Sequence, residues 1–242
     1  MVRTLGIIDC VSSQPLHNRR FAGQSLLQWI SRRCSDSQLL DRLVVLTNHR
    51  ESVEHLVLSD IKIFTSLGSD PLACFSAAVN EFQPQEVIRV RLDHPFTDPE
   101  LIDQLIISAR AKPQCDYISY CTNDGRPTVQ SQIGVFAEWC KAKAIQAAEQ
   151  EATDLIDRHQ PTHFVYTHPE RFTLSFIPAP VPLDRDDLRL CVHDEEDWDN
   201  AETIVDALGS NELAWQSVAD LLHQHPAMRA RMAILNRADT AS

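Results

Sequence analysis

Short β-branched runs alternate along the chain with longer stretches whose apolar residues recur every three or four positions. This is the rhythm of strands followed by amphipathic helices. Residues 5–8, 43–47, 61–64, 87–92 and 116–120 read as buried strands. Between them, residues 24–34 place Leu26, Leu27 and Ile30 at helical spacing, and 70–82 form a helix with Asp70 as N-cap ahead of Pro71. A further helix starts near Pro99 and lines up Leu101, Ile102, Leu105 and Ile106 on one face. Beyond residue 121 the rhythm changes. NDGRP at 123–127 is a turn-rich break, 129–136 reads as extended and 137–150 as helical. Residues 162–166 and 172–177 read as short extended pieces, and 188–192 as a last strand. The three prolines of IPAPVPLD demand an extended loop. Helices over 195–208 and 215–223, with a tail after Pro226, close the chain.

Alternating strand and helix signals predict an α/β protein whose mostly parallel, doubly wound sheet lies between two helical layers. The expected organisation is one domain over 1–242, with an inserted β-rich arm at about 121–180 and a helical tail at about 211–237. With 43% apolar residues the chain can bury a sizeable core. Against 22 Lys and Arg stand 34 Asp and Glu, a formal net charge of -12, which excludes a bulk nucleic-acid binder with its basic stripe. A small phosphate-bearing ligand stays open, since a few local groups suffice to hold one. The seven cysteines are scattered with no C-x-x-C pair, which removes zinc ribbons and redox dithiols and fits a reducing cytoplasm. The opening MVRTLGIIDC is too short an apolar stretch for a signal peptide, and no run approaches the ~20 residues that span a bilayer. A cytoplasmic protein with no membrane partner is expected.

In an open parallel sheet, ligands bind outside the carboxyl ends of the strands, near the point where strand order reverses. The loops after Ile8, Leu92 and Val192 therefore carry the candidate chemistry. Asp93 ends a buried strand, where a carboxylate either holds a hard cation bridging phosphate oxygens or caps a turn. Asp98, ahead of Pro99, reads as a helix cap. Pro161 between His159 and His163 argues against a helical metal pair, and no G-x-S-x-G, H-E-x-x-H or Walker-type motif occurs.

At the second loop, VIRVRLDHPFTDPELIDQLI resembles the motif V-R-[IV]-T-G-D-x-P-L-[IV]-D-P-E-L-I-D of the cytidylyltransferases that make CMP-activated acid sugars. The branch it resembles is the spore-coat-polysaccharide type, related to the acylneuraminate and 3-deoxy-manno-octulosonate cytidylyltransferases. The similarity runs along almost the whole chain, through AGQSLLQWISRRC, SDPLACFSAAVNEFQPQEVIRV, THPERFTL and LRLCVHDEEDWDNAETIVDAL to the closing SVADLLHQHPAMRARMAILN. It implies a nucleotide-diphospho-sugar transferase-like fold, with CTP or another nucleotide and an acidic sugar as partners. It also implies Mg2+ as cofactor, and a homodimer joined through residues around 125–145.

By the same resemblance Asp93 is the catalytic, metal-holding aspartate, yet much around it departs from the pattern. The family's A-R-x-G-S-x-R-L-P-G-K loop has no counterpart in GIIDCVSSQPLHNRR: Val11 falls on the first arginine and Ser13 on the glycine. Ser12 and Ser13 then remain as the loop's own contacts to a triphosphate. Arg19 and Arg20, just downstream, either substitute for the missing basic groups or are plain surface charge. His193 falls on the family's second metal-ligand aspartate, with Asp194 one place later as the carboxylate that a one-residue slip would bring in. Because successive side chains of a strand face opposite ways, that slip is not free, and His193 itself suits only a softer metal. Two expectations follow: a CMP-sugar-type nucleotidyltransferase with a degenerate triphosphate loop, or a non-catalytic nucleotide-sugar-binding or assembly subunit that keeps the fold.

Overall fold

The computed structural model describes residues 2–11, 18–210 and 212–240. Its centre is a sheet of seven strands in the order β5-β4-β1-β6-β8-β7-β9. β1 (Thr4–Asp9) is buried throughout and pairs in parallel with β4 on one side and β6 on the other. A two-stranded ribbon, β2 (Arg20–Phe21) and β3 (Gln24–Ser25), leads into α1 (Leu26–Ser35). Ser25 and Gln28 form a reciprocal capping box at that helix start, which satisfies two otherwise orphaned N–H groups. β4 (Arg42–Thr47), the single turn α2 (Arg50–Val53) and β5 (Lys62–Thr65) complete one wing. α3 (Pro71–Phe82) then returns the chain, capped by Asp70 with Pro71 in its first turn, as the sequence predicts.

β6 (Glu86–Arg91) continues into the loop 92–98 and then α4 (Pro99–Ala111). β7 (Tyr117–Cys121), β8 (Glu138–Lys141) and β9 (Leu174–Pro178) form the other wing, with α5 (Ala142–Glu151), α6 (Leu155–His159) and α7 (His163–Thr167) between the last two strands. α8 (Glu195–Leu208), α9 (Trp215–Gln224) and α10 (Pro226–Thr240) close the chain. β8 lies between β6 and β7, antiparallel to both, and the other neighbouring pairs of this sheet are parallel. Alternation along the strands feeds two apolar cores. Leu5, Ile7, Val44 and Val87 point to the side of α3 and α5, whereas Ile8, Val45, Ile88 and Val90 point to the side of α1, α4 and α8. Leu213, Val218, Leu222 and Met232 join the second of these cores, so the tail helices are built into the domain. No helix among the described residues is long and apolar enough to cross a membrane.

Four element boundaries differ from the sequence reading. Residues 162–166 were expected to be extended but lie largely in α7, because a short apolar run fits either state and here packs Val165 into the core by helical turns. The expected helix over 137–150 gives up its first residues to β8, whose Glu138 and Trp139 are buried by pairing with β6. Thr128–Gln130 is a 3-10 turn rather than extended chain. The segment 188–192 belongs to no sheet: its bonds go instead to Gln132 O, from Leu190 N at 2.8 Å, and to Asp93 O, from Val192 N at 2.9 Å. Within 121–180, β8 and β9 are strands of the central sheet itself. Residues 133–140 are buried, so a pairing of two copies through 125–145 has mainly the turn 123–126, Gln130 and Lys143 to use.

Candidate functional site at the carboxyl edge of the sheet

Strand order reverses at β1, whose neighbours β4 and β6 lead the chain to opposite wings. In an open sheet of this kind the carboxyl ends of β1 and β6 are where a ligand is expected. The strand sequence IRVRLD sets Arg89, Arg91 and Asp93 at every second position, which projects polar groups toward one side of an otherwise apolar strand.

Arg89 is the deepest of these. Its guanidinium donates to Glu138 Oε2 at 3.1 Å, Thr162 Oγ1 at 3.3 Å and Asp9 Oδ2 at 3.4 Å. Glu138 Oε1 accepts from Tyr117 Oη at 2.6 Å and from Thr162 Oγ1 at 2.8 Å. Burial, and next the Glu138 charge, push the Tyr117 phenol well above its ordinary value, so it stays a donor. Such a network is costly to break, because truncating one partner leaves a buried charge unmatched.

One layer outward, Arg91 chelates Asp93: Nε donates to Oδ1 at 3.0 Å and Nη2 to Oδ2 at 2.5 Å. His193 reaches the same carboxylate from the loop before α8, with Nε2 2.9 Å from Oδ2. A carboxylate only accepts, so this ring nitrogen carries the proton. Burial opposes the charge on Asp93, but His94, His193 and Arg91 outweigh it and hold the carboxyl well below its usual range. His94 is itself buried, with Nδ1 3.3 Å from Phe136 O and Nε2 lacking a hydrogen-bond partner 4.0 Å from Asp93. Burial, with the Arg91 charge, pushes His94 down to about 4, so it is neutral at pH 7.

The loop carrying His193 is pinned from several sides. Its backbone N–H donates to Asp197 Oδ2 at 3.0 Å, and Asp197 is chelated by Arg189 at 2.5 and 3.0 Å. Gly134, at φ +68°, presses on the same loop: a Cβ there would lie 2.5 Å from Cys191 N. Neither a side chain nor an ordinary L-residue backbone fits this contact.

The predicted site residues separate on this geometry. Asp93 is at the centre, and the side chain that meets it from the third loop is His193. Asp194 instead caps α8, accepting from Asp197 N at 2.9 Å, as the opposite facing of neighbouring residues requires. Arg19 is chelated to Glu195 in the first turn of α8 and lies 4.1 Å from the Trp198 ring centroid. Arg20 donates to Gly23 O at 2.6 Å. Ser12 and Ser13 lie outside the described residues. Asp98 caps α4 through the N–H groups of Glu100 and Leu101. Arg89, Arg91, His94 and Glu138 were not singled out from sequence, although the i, i+2, i+4 spacing of Arg89, Arg91 and Asp93 carries the signal.

A hard dication such as Mg2+ asks for several oxygen ligands with free lone pairs. The carboxylates at this edge are already engaged: Asp9 by Arg89 and Val11 N, Asp93 by Arg91 and His193, Asp194 by its cap, and Asp197 by Arg189. Among the described residues, the buried side-chain atoms without a hydrogen-bond partner at this edge include Arg89 Nε, which cannot ligate a cation, and an imidazole nitrogen of His94, a donor that Mg2+ disfavours. Cys191, His193 and Asp197 place ligand atoms within 4.8 Å of one another. There, however, burial raises the thiol, which is bonded to Gln132 Oε1, and Arg189 holds the carboxylate. The residues present do not fit magnesium. A cleft of about 900 Å³ meets this edge, among the described residues, through Gln132. Its lining sets Asp124, Asp184, Asp186, Asp187 and Asp239 against Arg126, Arg185 and Arg237, an acidic excess that disfavours an anion. The Arg91 edge is the better place for phosphate.

The family description of the MobA-like NTP transferase domain matches residues 18–169. The spore coat polysaccharide biosynthesis protein SpsF of Bacillus subtilis (strain 168) is 24% identical over 197 residues, covering 77% of this chain and 76% of that protein. Among solved structures, a cytidylyltransferase from Leptospira borgpetersenii serovar Hardjo-bovis superposes with a TM-score of 0.79 at 15% identity, covering 94% of this chain and 95% of that one. A CMP:2-keto-3-deoxy-manno-octonic acid synthetase complexed with CTP gives a TM-score of 0.54 at 10% identity, over 74% of this chain and 89% of the other. The fold is that of the nucleotide-diphospho-sugar transferases.

Proposed function

The chain belongs to the family of the MobA-like NTP transferase domain, and on that premise we propose that it is a cytidylyltransferase-like protein binding CTP, or another nucleoside triphosphate, at the carboxyl edge of β1 and β6. An acidic sugar is its second partner, and surface-polysaccharide synthesis is the setting that its likeness to SpsF supports. The observation that carries this reading is the gathering of Arg89, Arg91, Asp93 and His193 at the switch point of the sheet, where a phosphate-bearing ligand is expected. In the reaction, a sugar hydroxyl oxygen attacks the nucleotide α-phosphorus in line and gives up its proton to water, the bond to the β-phosphate oxygen breaks, and pyrophosphate departs. Arg91 offers guanidinium N–H groups to the phosphates, and His193 holds Asp93 in place beside it.

A second reading, a nucleotide-sugar-binding subunit without turnover, has support of its own. Arg19 is committed to Glu195 and Trp198, and Val11 stands where the resemblance places a phosphate-binding arginine. Pyrophosphate release from CTP and acidic sugars, followed with and without Asp93→Ala, separates the two. Turnover that the substitution abolishes establishes the enzyme. Binding of CTP without any release establishes the subunit, and neither binding nor release defeats both.

A further inference from the structure

Arg91 and Asp93 form a two-pronged ion pair, and the imidazole N–H of His193 closes on the same carboxylate. Together they fill the coordination that a cation bound at Asp93 would need. Both oxygens of Asp93 accept from Arg91, and Oδ2 accepts from His193 as well. The neighbouring carboxylates offer no alternative. Asp9 is turned to Arg89 and the backbone of Val11, Asp194 to its helix cap, and Asp197 to Arg189 and the backbone of His193. Bringing a dication to Asp93 would place it against the Arg91 guanidinium, a like-charge contact in a half-buried site.

Arg91 is not itself used up by Asp93. Among the described residues its Nη1 makes only a long contact, 3.5 Å, to Val129 O, and the side chain keeps 29% of its surface exposed. His193 keeps 36%. A positive group with spare N–H donors thus faces solvent at the place where phosphate oxygens would arrive.

We propose that Arg91 and His193 stand at Asp93 in place of a divalent cation, so that this site meets the phosphates of its ligand without Mg2+ or Mn2+. The part concerning phosphate rests on the nucleotide-binding reading above; the part concerning the cation does not. The full chain is titrated with Mn2+ alone, free ion being followed by electron paramagnetic resonance, and His193→Asp is titrated beside it. Position 193 reaches Asp93, so this substitution sets a second carboxylate there and removes the N–H that occupies Oδ2. The wild type is expected to take up no Mn2+ saturably, and His193→Asp to bind it roughly tenfold or more tightly than the wild type. Stoichiometric Mn2+ uptake by the wild type that Asp93→Ala abolishes overturns the proposal, and so does a folded His193→Asp with no gain. Should His193→Asp not fold, the wild-type titration decides alone. In a separate arm, CTP is titrated in EDTA and again in excess Mg2+. Equal affinity supports the proposal, and binding only with Mg2+ overturns it. If CTP binds in neither, the nucleotide reading has failed and the Mn2+ titration still judges the cation claim.

Discussion

His94 lies one residue after the central carboxylate, buried, with its ring held to Phe136 O and its pKa brought to about 4 from an ordinary value of 6.5. Above pH 6.5 the ring is neutral in both folded and unfolded chains and contributes no pH dependence. Below it the unfolded chain takes up a proton that the folded chain refuses, so stability falls as pH drops from 6.5 toward 4. The shift corresponds to about 3 kcal/mol at the lower end of that window. Urea unfolding at stepped pH is expected to show this slope in the wild type and to lose most of it in His94→Gln. The same residue marks how far the site is legible in sequence. Asp93 stands out because a carboxylate ends an apolar strand. Arg91 offers only its two-residue spacing from Arg89 and Asp93, and His94 offers nothing, since a histidine in a turn is an ordinary residue until the fold closes it around that carboxylate. His193 was recognised by its place in the motif, but its bond to Asp93 is a contact across 100 residues that no local pattern encodes.

The helices and parallel strands were the easiest parts to read. α3 and α4 carry their caps in sequence as Asp70-Pro71 and Asp98-Pro99, and each side chain takes the N–H groups its position implies, whereas Asp194, read from sequence as a candidate metal carboxylate, caps α8. The capping carboxylate of α8 is thereby assigned to holding the helix, and Asp194→Ala is expected to cost about 1 kcal/mol in thermal or urea unfolding. No measurable loss would mean that the cap is dispensable and the carboxylate free for another role. Three of the four misread elements share one cause. α7, β8 and the segment 188–192 are short apolar runs, for which period alone does not choose between helix, strand and irregular chain. Their states are set from outside: β8 by its slot between β6 and β7, α7 by the core it fills, and 188–192 by its bonds to Gln132 and Asp93. The last of these delivers His193 to the site.

On the scale of the whole molecule, the alternation of strand and helix was enough to give the class and the mostly parallel sheet, and the position of the candidate site follows from strand order at β1. Net charge adds a contrast within the surface. The chain carries -12 overall and lines a cleft of about 900 Å³ with more aspartates than arginines, whereas the switch-point edge presents Arg91. A phosphate-bearing ligand would therefore be steered toward that edge by what the rest of the surface disfavours. The central claim is that this edge is a nucleotide site organised by Arg91 and Asp93, and calorimetric titration with CTP on the wild type and on Arg91→Met tests it most directly. The account predicts saturable binding by the wild type, weakened roughly tenfold or more when the guanidinium is replaced by an apolar chain of similar length. Absence of binding to CTP and to the other triphosphates, or affinity that Arg91→Met leaves unchanged, would contradict it.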